Sequence, residues 1–180
     1  MKSIVWVLLL AAAGAAVPQE HRSPTPRAEV SLLRQFEGEW DALSQVVGMS
    51  DRESHETNGR ETARMGVGGL WLCIEFHGDI DDTPFEARGQ MGYDPMTRKY
   101  VMSWVDSVSP RMKVAEGWAD SSGKVFTLRS ECRDPLTEHC VRETLVLEIR
   151  DRDHRTLRAT VRSREGDERQ TMQILYTRRK

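Results

Sequence analysis

The sequence predicts an all-β protein, an antiparallel up-and-down β-barrel with a short N-terminal helix. Hydrophobic and polar residues alternate at a period of two from residue 40 onwards, which is typical of strands with one dry and one wet face. Turn-forming stretches such as GDIDDTP, DSSG, DRDH and EGDE separate most of these segments,. Because about ten strands in one open sheet would leave two bare edges, closure into a barrel is favoured over a two-sheet sandwich.

Residues 1–15 have the features of a secretory signal peptide. Lys2 precedes the apolar run IVWVLLLAAAGAA, and Ala13 and Ala15 form the small-residue pattern of a cleavage site,. The run is short for a membrane-spanning helix, so an N-terminal anchor is the less favoured alternative. We therefore expect an exported protein, periplasmic or secreted, whose mature chain does not insert into the membrane.

The next segment is a linker followed by the start of the barrel domain. Residues 16–28 are proline-rich and lack periodicity, which predicts a linker, and the domain then occupies residues 29–180,. Val30, Leu33 and Phe36 recur at helical spacing,. They predict one short helix that ends near the glycine that follows.

The strands are predicted from their apolar registers. They fall at residues 40–46, 61–67, 70–76, 85–93, 100–104, 112–118, 126–128, 141–149, 157–161 and 172–176. A hairpin centred on Ser109 predicts that Trp104 lies beside Val114 and that Met102 lies beside Glu116.

Composition excludes several classes of function. The formal net charge is -2 and the basic residues are interspersed with acids, so no nucleic-acid surface is expected. No G-x-S-x-G motif is present,. Glu75 and His77 share a face but supply only two ligands on the polar register, so no metal site is expected. We predict no cofactor and no assigned catalytic residue.

The chain has three cysteines, an odd number for an oxidising compartment. Cys132 and Cys140 flank RDPLTEH, a plausible hairpin loop, and a disulfide between them is predicted. Cys132 falls in the apolar register of its strand and Cys140 in the polar register of the next, so the bridge requires a bulge. Cys73 is then a buried thiol.

Three acids interrupt apolar registers. Asp106 follows Tyr100, Met102 and Trp104, and Glu116 and Glu143 interrupt their strands in the same way. A buried carboxylate needs a partner or a proton. These acids therefore belong to a hydrogen-bonded network, to the polar end of a ligand cavity, or to a general acid–base pair.

The preferred hypothesis is that the barrel binds a small, largely apolar molecule in its interior. The alternatives are an enzyme that uses the inward carboxylates, and an envelope interaction module with a filled core. The activity and the protein partners stay open. The predicted ligand-binding residues are Tyr93, Tyr100, Met102, Trp104, Asp106, Glu116, Trp118 and Glu143.

Three segments resemble a known family. GEW at residues 38–40 resembles the Gly-x-Trp that opens lipocalin-like barrels. Residues 68–107, from GGLWLCIEF to YVMSWVDS, and the ending MQILYTRRK are similar to a bacterial family of domains of unknown function, number 1579. The resemblance implies a lipocalin-like, calycin-type barrel, usually exported and without an established activity. It also implies that Arg178 or Arg179 covers Trp40.

Overall fold

The chain folds into one closed antiparallel β-barrel of ten strands. The structure, a computed structural model, describes residues 27–47, 54–80, 83–133, 140–163 and 166–180. The strands are β1 (Gly38–Val47), β2 (Ser54–Gly66), β3 (Trp71–Ile80), β4 (Thr83–Asp94), β5 (Lys99–Asp106), β6 (Ser109–Ala119), β7 (Val125–Arg133), β8 (Cys140–Ile149), β9 (His154–Arg162) and β10 (Glu168–Arg178). The predicted fold class is confirmed.

Each strand pairs with its sequence neighbours, and β10 closes the barrel by pairing with β1 from Trp40 opposite Arg178 to Val46 opposite Met172. Closure removes both sheet edges. Alternate side chains of each strand therefore point into one interior. Leu72, Met91 and Leu128 are among the largest fully buried side chains there.

A helical segment covers one end of the barrel. It comprises α1 (Arg27–Leu33) and a 3₁₀ turn (Arg34–Phe36). Leu33 and Phe36 are buried, and the Phe36 ring meets Phe126 edge-on at 5.1 Å between centroids. The Tyr100 hydroxyl donates to the backbone oxygen of Glu29 at 3.0 Å. We call this covered end the closed end.

The glycine-rich stretch between β2 and β3 forms a 3₁₀ turn, Val67–Gly69. Its three residues have positive φ angles of 45°, 71° and 74°. Two of them are glycines, which adopt this region without a steric penalty. The chain therefore bends sharply between β2 and β3.

The register between β5 and β6 differs from the predicted one. Trp104 lies opposite Lys113 and Met102 opposite Ala115, one position away from the predicted partners. Trp104 pairs with Lys113 and Asp106 pairs with Ser109, so β6 advances by four residues while β5 advances by two. The irregularity surrounds Pro110, which has no backbone N–H to donate to the ladder,.

A one-residue slip reverses the faces of a strand. The inward positions of β6 are therefore Lys113, Ala115 and Gly117. Met112, Val114 and Trp118, predicted to point inward, lie on the outside and are 65%, 54% and 51% exposed. The predicted inward register of this strand is wrong.

The barrel wall is thinly bonded between β6 and β7. Their ladder joins Glu116–Ala119 to residues 126–129. Among the described residues, 109–115 of β6 do not pair with β7. Strand β6 remains joined to β5 there, and β7 to β8. We call the unpaired boundary between residues 109–115 of β6 and 130–133 of β7 the seam. Alternate backbone amides on its two sides therefore lack a partner across it.

Hydrogen exchange is expected to follow this seam. Amides of residues 111–115 and 130–133 that face it should exchange faster than those of Glu116, Trp118 and residues 126–129, because local opening is easier where ladder bonds are missing. Residue-resolved deuterium exchange by NMR checks this. Equal protection along both halves of β6 would contradict the seam.

Several predictions lie outside the described residues. The signal peptide and most of the linker fall there, as do the side chains of Cys132 and Cys140. The backbone places Cys132 opposite Val141 and Cys140 opposite Arg133, so the two cysteines are one position out of register. Their disulfide stays a prediction. In the described ranges, no helix is long and apolar enough to cross a membrane.

Candidate functional site: a cavity inside the barrel

The interior of the barrel contains a cavity of about 220 Å³. It extends from Phe36 and Arg155 near the closed end to Val46, Ile80 and Asp106 near the opposite strand ends. Much of its wall is apolar, with contributions from Ile74, Phe76, Met91, Met102, Trp104 and Leu145. Its charged lining residues are Glu61, Asp79, Asp106, Lys113, Glu143 and Arg155.

Trp104 forms one side of the wall because β4 provides a glycine opposite it. Gly89 is the cross-strand partner of Trp104. A Cβ atom on Gly89 would lie 2.7 Å from the indole ring. The missing side chain lets the large ring lie flat against β4 and contribute its other face to the cavity.

A buried ion pair occupies the closed end of the cavity. Arg155 Nη2 donates to Glu61 Oε1, and the two residues are only 5% and 4% exposed. Arg155 comes from the start of β9 and Glu61 from the middle of β2. They meet because β1 and β10, the strands between them, place Trp40 beside Glu61 and Tyr176 beside Arg155.

Aromatic rings hold the Arg155 guanidinium in place. Its Cζ lies 4.2 Å from the Trp40 ring centroid and 4.4 Å from that of Tyr176. Arg178 Cζ also lies over the Trp40 ring, at 4.0 Å, and its Nη1 donates to the Glu37 backbone oxygen at 2.7 Å. The expected cover of Trp40 by a basic residue of the last strand is confirmed for Arg178.

One donor of this cluster has no partner. Among the described residues, Arg155 Nε and Thr156 Oγ1 are the buried side-chain polar atoms without a hydrogen bond. Both residues contribute to the cavity lining, and Arg155 shares the inward register of β9 with Leu157,. An unpartnered buried donor is uncommon and calls for an explanation.

A second polar cluster lies on the wall beside the seam. Ser130 Oγ donates to Glu143 Oε2 at 3.0 Å, and Lys113 Nζ lies 3.7 Å from Glu143 Oε1. The Glu143 side chain is 8% exposed and that of Lys113 is 50% exposed. Glu143 therefore has both a hydrogen bond and a counter-charge, as a buried carboxylate requires.

The structure brings half of the predicted site residues to the cavity. Met102, Trp104, Asp106 and Glu143 line it. Their contact with a ligand stays a prediction.

The other four predicted residues lie elsewhere. Tyr100 is buried against the helical segment, with Tyr93 edge-on to it at 5.2 Å. Glu116 is exposed on the outer face of β6, where it pairs with Lys99. Lys99 Nζ also lies 5.4 Å from the ring of Trp118, so Glu116 and Trp118 belong to one outer-surface cluster.

Sequence reasoning missed the residues that give the closed end its chemistry. Glu61 shares the inward register with Ala63, and Arg155 shares it with Leu157 and Ala159. The alternation was a usable signal at both positions. Their partnership was not visible, because 94 residues separate them along the chain.

The described residues contain no candidate metal centre. Within the described ranges, no three or more His, Cys, Asp or Glu side chains are grouped so that they could hold an ion. Glu75 and His77 are exposed, and each faces a residue of β4, Arg88 and Glu86 respectively. This pair is a surface feature of β3.

Two buried tyrosines have raised pKa values. Burial, with the nearby charge of Glu29 as a smaller cause, raises the pKa of Tyr100 to about 12. Burial likewise raises the pKa of Tyr176 well above its usual range, and the Glu61 carboxylate adds to this shift. Both hydroxyls are therefore favoured in their neutral form by the fold.

We expect stability to fall at alkaline pH for this reason. The unfolded Tyr100 ionises near pH 10.0 and the folded one near 12, so its contribution is complete below pH 10 and is lost as the pH rises towards 12. Urea unfolding at pH 8 to 11.5 measures the decline. The Tyr100→Phe variant should decline less steeply over this range, and an equally steep decline would contradict the assignment.

A solved structure shows the same fold. The crystal structure of Rv2717c from M. tuberculosis superimposes with a TM-score of 0.60 at 12% sequence identity, over 84% of this chain and 98% of that one. A de novo designed fluorescence-activating β-barrel gives a TM-score of 0.45 at 17% identity, over 82% of this chain and 96% of that one. No curated protein matches the sequence.

The sequence also matches a family model along most of its length. The match covers residues 25–178, which include every strand of the barrel and both polar clusters of its cavity. The chain therefore belongs to the family described as "Protein of unknown function (DUF1579)".

Proposed function

We propose that this protein binds a small, largely apolar molecule inside the barrel. The observation that carries the proposal is the interior cavity of about 220 Å³ between the helical segment and the opposite strand ends. Apolar cavities favour apolar occupants because burial removes hydrocarbon surface from water.

The volume limits the size of the ligand. A dry apolar cavity of about 150 Å³ is enough to hold benzene. The cavity of this barrel, at about 220 Å³, has roughly one and a half times that volume,. We therefore infer a compact ligand built on one or two rings, or a short branched chain, rather than a long acyl chain.

The walls contain adaptable and flat surfaces that suit such a ligand. Met91 and Met102 pair across β4 and β5, next to Trp104, and all three line the cavity. Methionine side chains adjust to irregular shapes, and the indole ring offers a flat stacking face.

A titration with toluene tests the proposal. In ¹³C-methyl-labelled protein, the methyl resonances of Met91, Met102 and Ala115 should shift on addition of toluene. Ala115→Leu, which adds bulk at a buried inward position, should weaken binding at least about tenfold by occupying part of the cavity.

Val114→Leu is the matched control. It adds one methylene to the neighbouring residue of β6, which points outward and is 54% exposed. This variant should bind toluene as the original protein does. If cavity methyl resonances stay unchanged at saturating toluene, or if both variants bind equally well, the interior binding function is wrong.

A further inference from the structure

We propose that the ligand carries an uncharged hydrogen-bond acceptor, a carbonyl-type oxygen, that accepts from Arg155 Nε at the closed end of the cavity. This inference rests on the proposed binding function and adds the chemical class of the ligand. It starts from one atom, the buried Arg155 Nε, which has no partner in the described part of the chain and belongs to a side chain that contributes to the cavity lining.

The donor is fixed in position. Glu61 holds one terminal nitrogen of Arg155, and the rings of Trp40 and Tyr176 lie 4.2 and 4.4 Å from its Cζ. With 5% of the residue exposed, the guanidinium cannot turn towards bulk solvent. A buried donor left without an acceptor costs stability that a ligand oxygen restores on binding.

The charges around the cavity favour an uncharged acceptor over an anion. Glu61 already neutralises Arg155, and Glu143 already faces Lys113. Asp79 and Asp106 add two further acids to the lining. A carboxylate ligand would enter a cavity with an excess of negative groups, and its desolvation would not be offset. A ketone, ester, amide or aldehyde oxygen accepts the hydrogen bond without that cost.

The ligand thus has two parts that match the two ends of the site. Its hydrocarbon body lies against Trp104, Met91 and Met102, and its acceptor oxygen lies at the Arg155 end. A water molecule that satisfies Arg155 Nε permanently is the competing occupant, and the experiment distinguishes it.

Acetophenone and α-methylstyrene form a matched pair of probes, because they differ only in a C=O against a C=CH₂ group of similar shape. Titration of the full chain with each should shift the cavity methyl resonances. The Arg155 Nε–Hε resonance should move downfield with acetophenone and stay in place with α-methylstyrene. The carbonyl stretch of bound acetophenone should lie below its frequency in alkane.

The Arg155→Lys variant supplies the second measurement, since lysine keeps the charge opposite Glu61 and lacks the Nε donor. We expect acetophenone to bind about tenfold more weakly to this variant, which corresponds to about 1.4 kcal/mol. Affinity for α-methylstyrene should stay within about twofold, because that probe does not accept the hydrogen bond. The spectroscopic readouts on the unaltered protein stand even if the variant does not fold.

The outcomes separate the two proposals. If neither probe shifts the cavity resonances, the binding function itself is overturned. If both probes bind but the Arg155 Hε resonance and the carbonyl stretch are unaffected, the ligand oxygen does not accept a hydrogen bond from Arg155 Nε. This inference alone is then overturned. Tighter binding of benzoate than of acetophenone would overturn the choice of an uncharged acceptor.

Discussion

Replacing Glu61 by leucine is expected to lower the free energy of unfolding by about 3–5 kcal/mol, the usual cost of removing one partner from a buried ion pair. Arg155 would keep its charge at a position that is 5% exposed, without a counter-charge. Tyr176, whose hydroxyl hydrogen-bonds Glu61, would lose its acceptor as well. Urea unfolding monitored by far-UV circular dichroism measures the loss.

The double variant Glu61→Leu/Arg155→Met shows whether the charge is responsible. Since both ionic groups are replaced by apolar ones, it should recover most of the loss, to within about 1–2 kcal/mol of the original protein. Glu75→Ala is the surface control. It breaks the ion pair with Arg88, in which the Arg88 side chain is 69% exposed and the Glu75 side chain 47% exposed. The substitution should therefore cost about 1 kcal/mol or less. A double variant as unstable as Glu61→Leu would contradict the ion-pair explanation.

Gly117→Ala is expected to destabilise the barrel by about 3 kcal/mol or more, the upper end of the cost of overpacking. A Cβ atom on Gly117 would lie 1.9 Å from the backbone oxygen of Thr127. Backbone cannot move aside as a side chain can, so β6 and β7 must separate. Gly117 belongs to the four-residue ladder that joins these strands, and their separation there would open the barrel wall.

Gly66→Ala is the matched control for this substitution. A Cβ atom on Gly66 would meet the Cys73 sulfur at 2.8 Å, and this side chain can rotate away. The φ angle of Gly66 is −128°, which alanine adopts without strain,. The control should therefore lose about 1 kcal/mol or less. Thermal unfolding and amide exchange of residues 116–119 and 126–129 report on both variants, and equal losses would contradict the backbone clash.

The sequence alone determined the architecture of this protein. Alternation at a period of two is a local property of each strand, and turn residues between the alternating segments give their number and order. These signals sufficed for the ten strands, the short helix before them and closure into a barrel. Inward residues of regular strands, such as Met102, Trp104 and Glu143, were likewise predictable from their registers.

Only the tertiary structure decided the register of β6 and the chemistry of the closed end. The irregularity around Pro110 shifts the β5–β6 pairing by one residue, and such a shift places Trp118 and Glu116 outside while bringing Lys113 inside. The Arg155–Glu61 pair joins residues from β9 and β2, two strands that become near neighbours only when β10 closes on β1. Local periodicity determines whether a side chain points inward or outward, whereas barrel closure decides which distant inward residues come into contact.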